Sequence, residues 1–454
     1  MSFVDLDLSN PDCFDGGFPH EFFRALRRED PVHWNDTRHE VERNGRGFWN
    51  ITKYEDVKMM SRNPLLFSSW EGGTNIFELS GDDLHGSRSM MLNMDPPQHV
   101  KYRRLVAHNF TPRMIDRLES HIRDLAREII DNIAERGSCD FIMDVAAQLP
   151  MKTIMEIVGV PEEDQQRLFD VTNKLVGFDD PEYQGSFDEG RMAAAEVAMY
   201  GQKLADLVSE CPMDNLASAL YHGKVDGQSL DPLQYNYFFL MLMVAGNETT
   251  RTMTAHGMRL LMEHPDQRRK LIEDPSLIPN AVEEFLRYNP PVMYFRRTLT
   301  DDFQLRGKLL RKGDKVVMWY PSANRDEDIY ADPDRFDVTR NIPEHLGLGI
   351  GEHYCLGASF ARAQLRSIFT EILTRLPDMQ PAGPMRFLRS NFVQGIKEMP
   401  VRYTPARRTP APHASGTVTS ELFAMPETNG AAAADVAAPS GCPFHTGPSG
   451  QVPA

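Results

Sequence analysis

From Ile115 onward, apolar residues recur at three- and four-residue spacing: Leu118, Ile122, Leu125, Ile129 and Ile133. That is the stripe of an amphipathic helix, and Gly137 stands where its C-terminal cap belongs. A second helix is expected near Thr52, whose spacing to Glu55 is that of a capping box. Just before it, Gly47-Phe48-Trp49-Asn50-Ile51 reads as a short strand. Between about Thr298 and Tyr320, alternating patches around a Lys312-Gly313-Asp314 turn predict a small antiparallel sheet. The longest helix should run from Asp231, as N-cap with Pro232 at the first position, to His264 before Pro265. At ~1.5 Å per residue it is roughly 50 Å long, enough to cross a whole domain. It is apolar nearly all round from Tyr237 to Val244, as a buried helix is, and then changes to Ala245-Gly246-Asn247-Glu248-Thr249-Thr250. The pattern predicts a mainly α protein with a minor β region.

After about Pro405 the chain turns to Ala, Pro, Gly, Ser and Thr, which cannot bury enough apolar surface to offset their ordering entropy. Residues 1–406 therefore read as one domain and 407–454 as a disordered tail. The tail is too short for a flavin reductase module, and its one cysteine, Cys442, cannot hold an iron–sulfur cluster. No fused redox partner is expected.

The 454 residues carry 49 basic and 65 acidic side chains, a net charge of −16. That balance argues against a nucleic-acid binder, which needs a basic face. The N-terminus carries acids where a signal peptide would be basic and apolar, and the apolar run Tyr237 to Gly246 is about half a bilayer span. The five cysteines are scattered without CxxC spacing, which excludes a disulfide framework or a metal cluster and suits a reducing cytoplasm.

Four features could carry chemistry. The strongest is His345-Leu-Gly-Leu-Gly-Ile-Gly-Glu-His353-Tyr-Cys355-Leu-Gly357, leading into a helix from Ala358 to Leu376. Amides of such a loop can stabilise a thiolate and tune what it ligates. The plainer alternative is a buried cysteine on a turn. Glu248-Thr249 in the buried helix is either a proton-relay pair facing a cavity, or a salt-bridged acid beside a back-bonded threonine. Glu284 and Arg287 lie three apart and share one helix face, a spacing also common in surface pairs. His99 and Arg103, four apart after Asp95-Pro-Pro, can point at one anionic group or belong to a solvated basic face.

Taken together and in this order, these elements resemble the cytochrome P450 superfamily over residues 15 to 404. Its haem-thiolate signature falls on Gly349, Gly351, His353, Cys355 and Gly357, and its acid–alcohol pair on Glu248 and Thr249. Its Glu-x-x-Arg pair falls on Glu284 and Arg287, completed by Arg335 in Asp332-Pro-Asp-Arg-Phe336. The propionate-binding positions match His99, Arg103, Arg297 and His353. One departure is Leu348, where an aromatic usually packs beside the sulfur; it bears on haem potential rather than ligation. Val244-Ala-Gly-Asn-Glu-Thr-Thr-Arg251, Phe295-Arg-Arg-Thr-Leu-Thr300, Ser322-Ala-Asn-Arg-Asp326 and Phe392-Val-Gln-Gly-Ile-Lys-Glu-Met-Pro400 resemble one bacterial branch. That branch includes methyl-branched-lipid ω-hydroxylases, sterol side-chain oxidases and terpene-alcohol hydroxylases.

The resemblance implies a cytochrome P450 fold, with the long helix over a buried haem b whose iron takes Cys355 as axial thiolate. It implies a monooxygenase in which Glu248 and Thr249 deliver protons during O2 activation. Met241, Val244, Ala245, Val292 to Phe295 and Phe392 would wall an aliphatic substrate. Electrons would come from a ferredoxin and its NAD(P)H-linked reductase, docking on Lys101, Arg103, Arg104, Arg113, Arg362 and Arg366. The implied protein is a cytoplasmic monomer that spans no membrane. Two other readings stand beside it: a peroxygenase or isomerase needing no ferredoxin, and a haem sensor using Cys442-Pro443.

Overall fold

The computed structural model describes residues 6–37, 45–177, 179–183, 187–213 and 215–409. The helices that frame the site are α1 (Tyr54–Ser61), α2 (Gln98–Val106), α3 (Pro112–Ala134) and α4 (Gln148–Val158). They continue with α5 (Glu162–Val176), α6 (Phe187–Glu210), α7 (Pro232–Glu263), α8 (Ile278–Tyr288) and α9 (Ala358–Arg375). Five strands make the main sheet: β1 (Val32–Asn35), β2 (Phe48–Ile51), β3 (Phe67–Ser68), β4 (Tyr294–Leu299) and β5 (Lys315–Trp319). Their spatial order is β1-β2-β5-β4-β3. β4 and β5 are antiparallel with Arg297 opposite Val316, whereas β5 runs parallel to β2. A small hairpin near the C-terminus is formed by β6 (Arg386–Phe387) and β7 (Ile396–Glu398).

α7 starts as its sequence demands. Asp231 accepts from the Gln234 amide, Gln234 returns a bond to the Asp231 amide, and Pro232 needs no donor partner. It passes through the largest hydrophobic cluster, beside residues of α3, α4, α8 and α9. The helices come close because one position of α7 has no side chain: a Cβ at Gly257 would stand 2.5 Å from Phe369 Cζ and 3.0 Å from Phe285 Cδ2. The α3 stripe is buried at every expected position from Ile115 to Ile133.

Two local expectations are corrected. Thr52 forms no capping box, because its hydroxyl donates to the Pro31 carbonyl at 3.0 Å. The free Tyr54 amide at the start of α1 donates instead to Asp326 Oδ2, also at 3.0 Å. Gly137 is not the cap of α3, which ends at Ala134 with Glu135 as C-cap; Gly137, at φ +78°, turns the chain just beyond. Of the expected tail, residues 410–454 lie outside the described residues. Among the described residues no helix is long and apolar enough to cross a membrane.

Candidate active site

The cysteine loop is fastened from three sides. Glu284 and Arg287, both fully buried on α8, meet at 2.6 Å and 2.8 Å. The remaining Arg287 nitrogen donates to the carbonyls of Asn324 and Pro333, at 3.0 Å each. Arg340, not Arg335, completes the pair: its Nε lies 3.3 Å from Glu284 Oε1, and its other donors hold the carbonyls of Ala331, Asp332 and Arg335. Arg335 is exposed and turns to Asp337. Asn324 Oδ1 then accepts the Leu346 amide at 2.7 Å, which carries the restraint into the loop.

The neighbouring acid, Glu283, has a separate duty. It accepts from Arg362 Nε at 2.6 Å and Nη2 at 2.8 Å, and contacts His345 Nε2 at 3.0 Å. Burial works to raise its pKa, but the bonds to Arg362 and His345 outweigh that and hold it at about 2. Arg362 is thus a structural tie between α8 and α9. Lys101 pairs with Asp226, and Arg366 lies 4.0 Å from Glu119. Arg104 and Arg113 are exposed with no ion pair among the described residues.

Cys355 follows a 3-10 turn, Gly351–His353, and precedes α9. Its amide donates to Leu348 O at 2.9 Å. Burial pushes its thiol pKa up, while the Gly357 amide, Arg103 and Arg362 pull it down. The residue nonetheless keeps accessible surface. A thiol that is both accessible and deep in protein faces an interior space rather than bulk water. The donors around it suit a negative sulfur.

A second group of residues converges nearby without an acid among them. The rings of His99 and His353 lie 4.2 Å apart. Burial, then Arg103 and Arg297, push His99 down to about 4, so both rings stay neutral at pH 7; His353 is lowered well below its ordinary value by burial, Arg297, His99 and Arg103. His99 is 1% exposed, and its Nδ1 has no partner. Arg297 is also buried, and among the described residues its side chain bonds the Arg296 carbonyl at 2.8 Å. Among the described residues no carboxylate closes an ion pair with Arg297 or Arg103. Asp95, the acid that acts on Arg297, is occupied by Ser68 and by the Ser69 amide at 2.7 Å. A buried guanidinium without an anion is costly. A thiol with donors aimed at it and a buried cationic set awaiting carboxylates fit a haem, its iron on the sulfur and its propionates on the arginines.

Halfway along α7, Met241, Ala245 and Thr249 repeat every fourth residue and are accessible, as is Val244, while Leu242, Met243, Asn247, Glu248 and Thr250 are buried. An accessible stripe on a helix through the core marks a cavity wall. Val292, Phe295 and Phe392 are also part-accessible, with the two phenylalanine rings 5.8 Å apart. Met293 and Tyr294 are not part of the wall: they pack into the N-terminal cluster with Phe14 and Trp319.

Glu248 and Thr249 combine features of both arrangements that the sequence allows: each side chain is bonded, and Thr249 still lies on the accessible face. Thr249 donates to the Ala245 carbonyl at 2.9 Å. Glu248 turns away from the accessible face, with Oε1 accepting from Arg251 and Thr252 at 3.1 Å each. Burial raises its pKa, against Arg251 and Thr252. Arg251 was readable as the (i, i+3) partner of Glu248; nothing in the sequence pointed to Arg340 or to the Glu283 tie.

The family description Cytochrome P450 matches residues 195–382. The chain is 37% identical over 406 residues to the steroid C26-monooxygenase of Rhodococcus jostii, covering 88% of this chain and 85% of that protein. It is 38% identical over 409 residues to the methyl-branched lipid omega-hydroxylase of Mycobacterium tuberculosis, covering 88% and 95%. A Mycobacterium marinum cytochrome P450 solved in complex with pseudoionone superposes with a TM-score of 0.80 at 38% identity, over 85% of this chain and 94% of that one.

Proposed function

We propose, from the premise that this chain belongs to the cytochrome P450 family and is a monooxygenase, that it hydroxylates an unactivated C–H bond of a methyl-branched lipid, terpenoid or steroid side chain. The observation that carries this reading is the accessible Met241-Val244-Ala245-Thr249 face on an otherwise buried helix. Its side chains are apolar and small or flexible, so they suit an aliphatic chain, and their one polar group is a hydroxyl.

The family's prosthetic group is a haem on a cysteine thiolate. When bound it supplies oxygen activation, with thiolate donation favouring O–O cleavage as a general property of the family. Cys355 is the ligand in this reading. Arg297 and Arg103 would neutralise the propionates, and His99 and His353 would donate to them. Met241, Val244 and Ala245 exclude water and seat the substrate. Thr249 passes a proton from its hydroxyl at the cavity face, and Glu248 resupplies it from the buried side, where its raised proton affinity suits a carrier.

P450 monooxygenases take electrons from a redox partner together with O2. We assign that partner to a ferredoxin with its reductase. The support is a depression of about 320 Å³ on the Cys355 side, lined by Val100, Arg103, exposed Arg104, Ala107, Gly351 and Glu352. A cytoplasmic monomer completes the proposal.

The test is turnover of the purified holoprotein under ¹⁸O2 with NAD(P)H, a surrogate ferredoxin and its reductase. The panel is a methyl-branched fatty acid, a terpene alcohol, a sterol ketone and a linear alkane. A product carrying one labelled oxygen, from a ligand that also shifts the ferric Soret band saturably, supports the proposal. Equal turnover with hydrogen peroxide and no ferredoxin would assign a peroxygenase. Neither shift nor product from any of the four would remove the lipid and terpenoid reading.

A further inference from the structure

A strap of charge joins the segment between α5 and α6 to the β6–β7 hairpin. Asp180 is 1% exposed and meets Lys397 Nζ at 2.7 Å and the Arg389 amide at 3.0 Å. Glu182 lies 2.8 Å from the same Lys397 and also meets Arg386. Arg389 donates to the Asp179 carbonyl and to Asp12, at 2.6 Å each.

The inner side of this strap reaches α7. Tyr183 packs so tightly on the end of α5 that a Cβ at Gly177 would stand 2.8 Å from Tyr183 Cβ. Burial raises the Tyr183 pKa, and Arg251, Glu248, Lys397 and Asp180 all act on its hydroxyl. Arg251, whose side chain is 5% exposed, is a two-ended link. Nη1 donates to Asn173 Oδ1 on α5 at 2.9 Å, while Nη2 holds Glu248. The second Glu248 oxygen lies 2.9 Å from Nη2 but takes no aligned hydrogen bond, so the pair has slack.

The proposed reaction has no use for Asn173, Tyr183 or Lys397, yet Arg251 is bonded to Asn173 on α5, Tyr183 packs on the end of α5, and Lys397 holds the segment that carries Tyr183. We propose that Arg251 is a positioning residue that ties the Glu248 carboxylate to the strap at residues 179–183, so that the seating of the strap sets how readily Glu248 exchanges protons with water. This rests on the reading of Glu248 as a proton carrier. The guanidinium is a rigid fork, so displacing the end of α5 must pull on one of its two bonds. Unseating Tyr183 admits water to a carboxylate whose largest perturbation is its own desolvation. The groups bonded to Glu248 are Arg251 and Thr252 on α7; Asn173 on α5 bonds Arg251, and Tyr183 on the strap lies near enough to feel the charges of Glu248, Arg251 and Lys397.

Opposite effects are expected from the two ends of the path. Lys397→Met loosens the strap and lets water in, which lowers the Glu248 midpoint. Arg251→Gln removes the compensating charge and raises it by one pH unit or more. Asn173→Ala, which leaves the charge but frees Arg251 from α5, raises it less and stands in if Arg251→Gln does not fold. The readout is an infrared titration of the protonated-carboxyl stretch in the ferric holoprotein, assigned by its loss in Glu248→Gln. Hydrogen peroxide released per NAD(P)H is measured in parallel. Arg306→Gln, at a remote surface pair with Asp56, serves as the unshifted control. Wild-type coupling in Glu248→Gln would overturn the carrier reading and with it the premise. Uncoupling in Glu248→Gln, but an unmoved midpoint in both Lys397→Met and Asn173→Ala, would overturn the strap proposal alone.

Discussion

Truncating Arg340 and Arg335 in turn separates the cation that secures the cysteine loop from the one the motif suggests. Arg340 is 11% exposed in its side chain and makes four contacts: Glu284 at 3.3 Å and the carbonyls of Ala331 at 2.6 Å, Asp332 at 2.9 Å and Arg335 at 2.6 Å. Hydrogen bonds to a charged group contribute about 1.5–3 kcal/mol each. The bonds are not additive, and water will replace part of what the three carbonyls lose. Arg340→Ala is therefore expected to cost ~2–4 kcal/mol. The loss includes weaker compensation of Glu284, which is buried with Arg287 at 0% exposure. Arg335→Ala removes one exposed contact to Asp337 and should be indistinguishable from wild type. The assay is guanidinium chloride unfolding of the holoprotein, followed by far-ultraviolet circular dichroism and by loss of the thiolate absorption. Arg340→Ala should move both midpoints down, with the thiolate signal lost first, because the restraint runs through Asn324 to Leu346. An Arg335→Ala variant at least as unstable as Arg340→Ala would refute the assignment.

Thr249→Ala should keep substrate binding and O2 consumption but divert reducing equivalents to hydrogen peroxide; full coupling in that variant would take Thr249 out of proton transfer. The Glu283 carboxyl is held near 2 in the folded protein, below its unfolded value of about 4.3. Its contribution is therefore complete above about pH 5 and is lost as pH falls toward 2. Glu283→Gln should accordingly flatten the acid limb of the stability profile between those limits, and an unchanged limb would contradict the tie. Gly257→Ala should lower the melting temperature despite the better helix propensity of alanine: its Cβ would meet Phe369 at 2.5 Å, and overpacking costs about 1–3 kcal/mol against a propensity gain of about 1 kcal/mol.

Where one local rule decides the structure, the sequence was legible. Asp231-Pro232 and Pro265 bracket α7 because a side-chain cap and a missing amide leave little choice. The α3 stripe follows from spacing alone, whereas the cysteine loop and the Glu284–Arg287 pair stood out only in combination with the other motifs. Elsewhere the outcome depended on what the fold brings from afar. Thr52 has the right neighbour for a capping box but finds the Pro31 carbonyl. Arg335 sits in the expected motif, yet the turn after it brings Arg340 to Glu284. Arg362 reads as a surface cation until α8 places Glu283 against it. Val292 to Phe295 read in sequence as one wall, but the backbone directs Met293 and Tyr294 into the Trp319 cluster. Glu248 and Thr249 share a dipeptide while facing different surroundings, which only the burial of the helix reveals.

The central claim is that Cys355 supplies the thiolate of a haem held by Arg297, Arg103, His99 and His353. Its most direct test is the difference spectrum of the reduced, carbon monoxide-bound protein, recorded for wild type and Cys355→Ser. Wild type should show a thiolate-type Soret band that is absent from Cys355→Ser, even where that variant still retains haem. A thiolate-type band that persists in Cys355→Ser, or a wild-type band of the neutral-histidine type, would contradict the claim.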